Sequence, residues 1–294
     1  MAKTHVLETD CLRVAIADAG AELCSVIDKE SGRERIWTAD PGVWNRHAPI
    51  LFPFVGRVTE GKYRSGGREW PMKTQHGFAR DLVFACTEES AAAVEHRLCA
   101  SEETREIYPW DFCLTVRHSV DAARPRVLRI EWTVENRGEE PMLYSIGGHP
   151  GFLMPEGARK EDCLLRFPGK ETLRYYQADA AGFALPEQTH TLSLTCGDAP
   201  YLENIPDTWI FERQGIDEVG IAAPDGSPWI SLRCPGFPFL AVWANPKGPF
   251  ICLEPWYGRT DEAGFAGTLE KKKGMERLES GEKRRYRYEI EFYR

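Results

Sequence analysis

Apolar and polar residues alternate with a period of two along much of the chain. In "VLRIEWTVEN", Leu128, Ile130, Trp132 and Val134 fall on one face, while Arg129, Glu131, Thr133 and Glu135 fall on the other. Successive side chains of a strand point to opposite sides, so this pattern predicts a half-buried β-strand. The alternation recurs in "DFCLTVRHSV" (Phe112, Leu114, Val116, His118, Val120) and in "RRYRYEIEFY" (Tyr286, Tyr288, Ile290, Phe292). "VGIAAPDGSPWISLRC" sets Asp225-Gly226 between two apolar runs, which predicts a hairpin. "AVEHRLCA" alternates too and is read as a strand, although the alanines before it could open a helix.

Amphipathic helical text is scarce. The 26 glycines and 20 prolines punctuate the whole length and do not collect into one linker. Many short strands separated by turn residues, without intervening helices, predict an all-β antiparallel sandwich or barrel. With no repeat and no low-complexity tract, residues 1–294 are expected to form a single domain.

Composition narrows the function more than the fold. Hydrophobic residues make up 42% and charged residues 28%, enough for a sizeable core. The formal net charge of -8 provides no basic field for nucleic acid or an anionic membrane surface. Nine cysteines are scattered from Cys11 to Cys252 without a CxxC pair, which suits neither a zinc ribbon nor a small disulfide scaffold. They are expected to be reduced thiols in a cytoplasmic protein, most serving as small hydrophobes. "MAKTHVLETD" lacks the apolar stretch of a signal peptide, and no run of about 18 apolar residues occurs, so neither export nor a membrane span is expected.

Four segments break the alternation with polar groups set among glycines and aromatics. They are "APILFPFVGRVTEGKY" with Arg57, "TQHGFARDLVF" with His76 and Arg80, "SIGGHPGFLMP" with His149, and "ICLEPWYGRTDEAGF" with Glu254. Catalytic and binding groups concentrate at such turns on a rigid scaffold. Each group also has an ordinary reading. Arg57 and Arg80 could pair with Glu60 and Asp81, and His76 could bond a backbone carbonyl. Trp256 and Tyr257 could be core residues or the aromatic face of a sugar site. Glu254, between "FICL" and "PWYG", is expected to be flanked by apolar groups and to need a partner or a task. His76, His149 and Glu254 could also form a 2-His-1-carboxylate metal set. No phosphate loop, nucleophile elbow or HExxH helix appears.

The motifs "PILFPFVGR", "QHGFAR", "YPWDFCLTV", "GGHPGF" and "EPWYG" occur in this order, and from about Leu12 to the last strand the chain resembles the aldose 1-epimerase (galactose mutarotase) superfamily, most closely its LacX-like branch. That resemblance implies an antiparallel β-supersandwich that interconverts the α and β anomers of an aldose without metal or organic cofactor. By motif, Glu254 corresponds to the general base, His149 to the general acid, and His76 to a second histidine near the ring oxygen. Arg57 corresponds to an arginine that contacts sugar hydroxyls, and Asp207 in "PDTWIF" stands loosely where a hydroxyl-binding aspartate is expected. Arg80 and Trp256 lie within the motifs and are taken as substrate-binding residues. The implied partner is a small-molecule sugar, with the protein a monomer or homodimer.

Three rivals remain at this level. A glycoside hydrolase usually needs two carboxylates, and here one glutamate stands out, with Asp261 and Glu262 past a glycine. A non-catalytic sugar-binding or sensing module would keep Trp256 and Arg57 without needing both acid and base. A hexose-6-phosphate 1-epimerase would need a cationic site, for which Arg46, Arg57 and Arg80 are available.

Overall fold

The fold was analysed in a computed structural model that describes residues 3–200 and 208–294. The alternating segments are strands at the expected places: Phe112–Asp121, Arg124–Asn136 and Lys283–Phe292 are three neighbours in one sheet. Their register stacks the apolar faces, with Trp132 opposite both Val116 and Tyr286, and Ile130 opposite both His118 and Tyr288. Leu128, Ile130, Trp132 and Val134 are buried, whereas Arg129, Glu131, Thr133 and Glu135 are half-exposed. The Asp225-Gly226 turn joins the antiparallel strands Glu218–Ala222 and Pro228–Arg233.

Among the described residues nine strands form one sheet, with Ala85–Glu89 and Ala93–Cys99 at one edge. A second sheet of eight strands is built around Phe250–Tyr257, which pairs with Phe239–Trp243 on one side and with Ile146–Gly148 and Gly151–Leu153 on the other. A three-stranded sheet of Thr4–Glu8, Leu12–Ala17 and Leu23–Asp28 adds the N-terminal layer. The strand ladders are antiparallel throughout the described residues. One apolar cluster runs from Leu7 to Phe292 between these layers. One short α-helix, Glu102–Ile107, is capped reciprocally: Ser101 Oγ accepts from Thr104 N–H, and Thr104 Oγ1 accepts from Ser101 N–H. No helix among the described residues is long and apolar enough to cross a membrane.

The expectation of nine reduced thiols is corrected at one place. Cys99 and Cys113 face each other across neighbouring strands with Cα atoms 4.1 Å apart and form a disulfide, and the other seven are free. Spacing alone could not reveal this, because the register of two strands decides which residues meet.

The strand Phe250–Tyr257 carries the fold to the site. It is buried on both faces, as expected for a central strand covered on each side. Ile251 and Leu253 enter the main core. Phe250, Cys252, Glu254 and Trp256 project to the opposite face, so a carboxylate stands in the middle of an apolar row.

Candidate active site

Glu254 is 1% exposed and neither of its oxygens has a well-formed hydrogen bond. Burial raises its carboxyl pKa well above the ordinary value, with the Trp256 side chain acting in the opposite direction. His149 lies directly against it, with Nε2 3.3 Å from Glu254 Oε2. Burial and the nearby Arg80 charge lower the His149 pKa to about 3. The two shifts act together: burial disfavours the charged form of each group, so an uncharged carboxyl beside an uncharged imidazole is favoured.

The glycines of "GGHPGF" make this contact geometrically possible. Gly147 pairs with Trp256, and a Cβ at Gly147 would fall 2.5 Å from the Trp256 ring. The backbone can approach the central strand closely only without that atom. The His149 N–H donates to Pro49 carbonyl at 3.1 Å, which fixes the turn. Trp44 lies over the His149 ring with centroids 4.9 Å apart, and Trp243 meets it edge-on at 5.6 Å.

His76 approaches His149 from the second loop, with ring centroids 5.5 Å apart. Its φ of 65° is in the left-handed region, held by hydrogen bonds in both directions with Gly56: His76 N–H donates to Gly56 carbonyl, and Gly56 N–H donates to His76 Nδ1 at 3.1 Å. An accepting Nδ1 leaves the proton of the neutral ring on Nε2. Burial, followed by the charges of His149, Arg80 and Arg57, keeps this imidazole well below its usual pKa. Gly77 is needed for the same turn, because a Cβ there would lie 2.2 Å from Phe52 carbonyl oxygen.

His76, His149, Glu254, Arg57 and Trp256 thus line one cleft of about 250 Å³. Arg57 does not pair with Glu60, which instead meets Lys62 and Arg64. The Arg57 side chain is exposed at the cleft, while its backbone is pinned to Thr260 Oγ1 at 3.0 Å. Arg80 departs from the expectation: it does not line the cleft. Asp81 pairs with Arg46, and Arg80, half-buried with an unpartnered Nε, acts on both histidines through its charge. Tyr257 turns away and donates to Gly236 carbonyl at 3.0 Å, beside Phe237 and Tyr286. Asp207 lies outside the described residues. Of the metal set considered above, the residues whose donor atoms come within 4.8 Å of one another are His149, Glu254 and Cys252 rather than His76.

Sequence reasoning did not single out Trp44, Gln75 or Trp243, which also line the cleft. For Trp243 a signal was available. Phe239, Ala241 and Trp243 alternate along their strand and pair with Trp256, Glu254 and Cys252, so they share the site-facing side. Trp44 lies in an irregular segment that gives no periodicity to read.

An antiparallel β fold with a buried glutamate and two histidines in one cleft is the setting in which relationships to known proteins fall. The chain belongs to the aldose 1-epimerase family, whose sequence model matches residues 3–197. Among its relatives is Protein LacX of Lactococcus lactis subsp. lactis, in plasmid and chromosomal forms, each 30% identical over 288 residues that cover 92% of this chain and 92% of the relative. Solved structures agree along the whole length. The galactose mutarotase related enzyme of Lactobacillus acidophilus is 29% identical with a TM-score of 0.92, covering 99% of this chain and 98% of that one. A galactose mutarotase-like protein of Lactobacillus casei ATCC 334 is 28% identical with a TM-score of 0.88, covering 99% and 100%. Family and fold together support a sugar epimerase or mutarotase role.

Proposed function

We propose that this protein, acting as a single domain, interconverts the α and β anomers of an aldose, most simply a free hexose, through proton transfer by Glu254 and His149. The observation that carries the reading is the 3.3 Å contact between a buried carboxyl and a buried imidazole in an open cleft. Opening a pyranose removes the proton of the C1 hydroxyl and adds one to the ring oxygen. Glu254 as carboxylate takes the first. The C1–O5 bond breaks with its electron pair on O5, which receives the proton of the His149 imidazolium. The aldehyde turns about C1–C2, O5 attacks the other face, His149 recovers the O5 proton and Glu254 returns its own to O1. The pair holds one proton throughout, so no metal or organic cofactor enters the balance.

The environment suits both roles. A carboxyl with a raised pKa is a stronger base once ionised, and an imidazolium with a lowered pKa is a stronger acid towards a weakly basic ring oxygen. Before sugar binds the shared proton rests on Glu254, and the short contact lets it cross to His149 on binding. His76 offers an Nε2–H donor to a sugar oxygen, Arg57 contacts hydroxyls, and Trp256 with Trp44 supplies apolar surface to a ring face.

A second reading has its own observation. The cleft adjoins a cavity of about 440 Å³ that shares Arg57 and Gln75 and adds Lys73. Neither Arg57 nor Lys73 has an ion-pair partner among the described residues. Two unpaired cations there would suit a phosphorylated hexose. Saturation-transfer NMR of anomer exchange over free and phosphorylated hexoses, with spontaneous mutarotation subtracted, tests both. Exchange of free hexoses supports the first reading, and exchange of phosphorylated hexoses alone supports the second. Binding without exchange of any sugar would replace both with a sensing module.

A further inference from the structure

A second cluster of histidine, cysteine and carboxylate lies away from the cleft, where the N-terminal strand Thr4–Glu8 crosses the edge strands Ala85–Glu89 and Ala93–Cys99. His5, Cys86 and His96 each offer a donor atom within 4.8 Å of the other two. His5 is 2% exposed and His96 fully buried. Both imidazoles turn Nε2 to one carboxylate oxygen, Asp18 Oδ1, at 2.8 and 3.2 Å. Asp18 is further held by the Lys3 backbone N–H at 2.9 Å. With the carboxylate oxygen as acceptor at Nε2, a neutral ring carries its proton there and its lone pair on Nδ1.

His96 Nδ1 is buried without a hydrogen-bond partner. His5 Nδ1, also buried, meets Glu89 Oε1 at 3.0 Å, a contact that a proton on Nδ1 or a bound cation would satisfy. We infer that His5 and His96 through Nδ1, with the Cys86 thiolate, form a zinc site whose fourth position is left to Glu89 or water. The donor set of two imidazoles and a thiolate is one that zinc prefers. Asp18 then plays the part of the outer carboxylate that orients ligating histidines. Cys86 is exposed, so the ion has a path in, and binding releases the thiol proton to solvent. The ion would tie the N-terminal sheet to the edge of the nine-stranded sheet.

The test uses the full chain, stripped with chelator and titrated with zinc chloride by calorimetry, and with cobalt(II) by visible absorption. One equivalent of zinc is expected, with a tetrahedral cobalt spectrum that includes a thiolate charge-transfer band. Cys86→Ser, at an exposed position that does not threaten folding, should abolish the band, weaken zinc binding at least tenfold, and remove any zinc-dependent rise in Tm. Asp18→Asn should weaken binding by about 10- to 100-fold. His149→Asn should leave zinc binding intact, which separates this site from the cleft. Absence of stoichiometric zinc binding would overturn the site. So would binding that survives Cys86→Ser, or that is lost in His149→Asn.

Discussion

The cleft and the N-terminal seam use nearly the same side chains to opposite ends. Each brings together imidazoles, a cysteine and a carboxylate: His149, Cys252 and Glu254 in one, and His5, His96, Cys86 and Asp18 in the other. In the seam the carboxylate accepts from two imidazoles and a backbone N–H, which lowers its pKa and fixes it as an ion. In the cleft the carboxylate has no well-formed hydrogen bond and burial raises its pKa, which under the proposed function leaves a proton free to pass between it and His149. On the proposed function, what separates the proton-transfer pair from the seam is the number of donors aimed at the carboxylate rather than the residue types. A carboxylate already satisfied in the ground state has nothing to gain from a substrate proton.

The sharpest way to break this contrast is to remove the mobile proton. Glu254→Gln and His149→Asn should each lower kcat and kcat/KM by about 10² to 10⁴, the usual worth of a positioned base or acid, with modest change in KM. The double variant should lose less than the product of the two, because both transfers serve one ring-opening step. Full exchange activity in Glu254→Gln would show that the base lies elsewhere. The pH profile belongs to the same pair. A second proton on the pair at low pH removes the base, and loss of the last proton at high pH removes the acid. Background-corrected kcat/KM should therefore be bell-shaped, its acid limb set by the lowered His149 and its alkaline limb by the raised Glu254. A rate that rises monotonically with pH would rule out an acid with these properties.

Arg57→Ala should act differently in kind. A hydroxyl-contacting arginine serves substrate and transition state alike, so KM should rise by about tenfold or more while kcat falls less. An unchanged KM on every sugar exchanged would remove Arg57 from the binding site.

The same chemical change, carboxylate to amide, should shift stability in opposite directions in the two regions. Between the ordinary carboxyl pKa and its raised folded value, Glu254 binds more protons folded than unfolded, so rising pH destabilises the fold across that window. Glu254→Gln removes this dependence and should raise Tm at neutral pH. Asp18 has a lowered folded pKa, so its contribution is present above the ordinary carboxyl pKa and is lost as pH falls through the folded value. Asp18→Asn should cost about 1–3 kcal/mol at neutral pH, because two buried imidazoles exchange an ionised acceptor for a neutral amide oxygen. Denaturant melts of both variants across pH check the two signs, and equal signs would dissolve the comparison.

Much of the fold was legible in the sequence because its cause is local. Alternation in "VLRIEWTVEN" and "RRYRYEIEFY" specifies strands with one buried face, and Asp225-Gly226 specifies a hairpin. The short helix was also open to reading from the reciprocal cap of "SEET", a signal passed over among the strands. The motif turns were legible as well, since "GGH" and "QHGF" mark places where the backbone must approach another strand closely.

Pairing across the chain was not legible. Whether Arg57 or Arg80 opens to the cleft, whether Cys99 meets Cys113, and whether Trp44 lies over His149 depend on register and loop placement, to which no short window of sequence responds. By itself the sequence determined an antiparallel β chain with His149 and His76 at turns and Glu254 in a strand-like apolar run. The tertiary structure alone decided that Glu254 and His149 meet without other donors while Asp18 holds His5 and His96. Burial and hydrogen-bond partners set a protonation state, and both are supplied by residues distant along the chain.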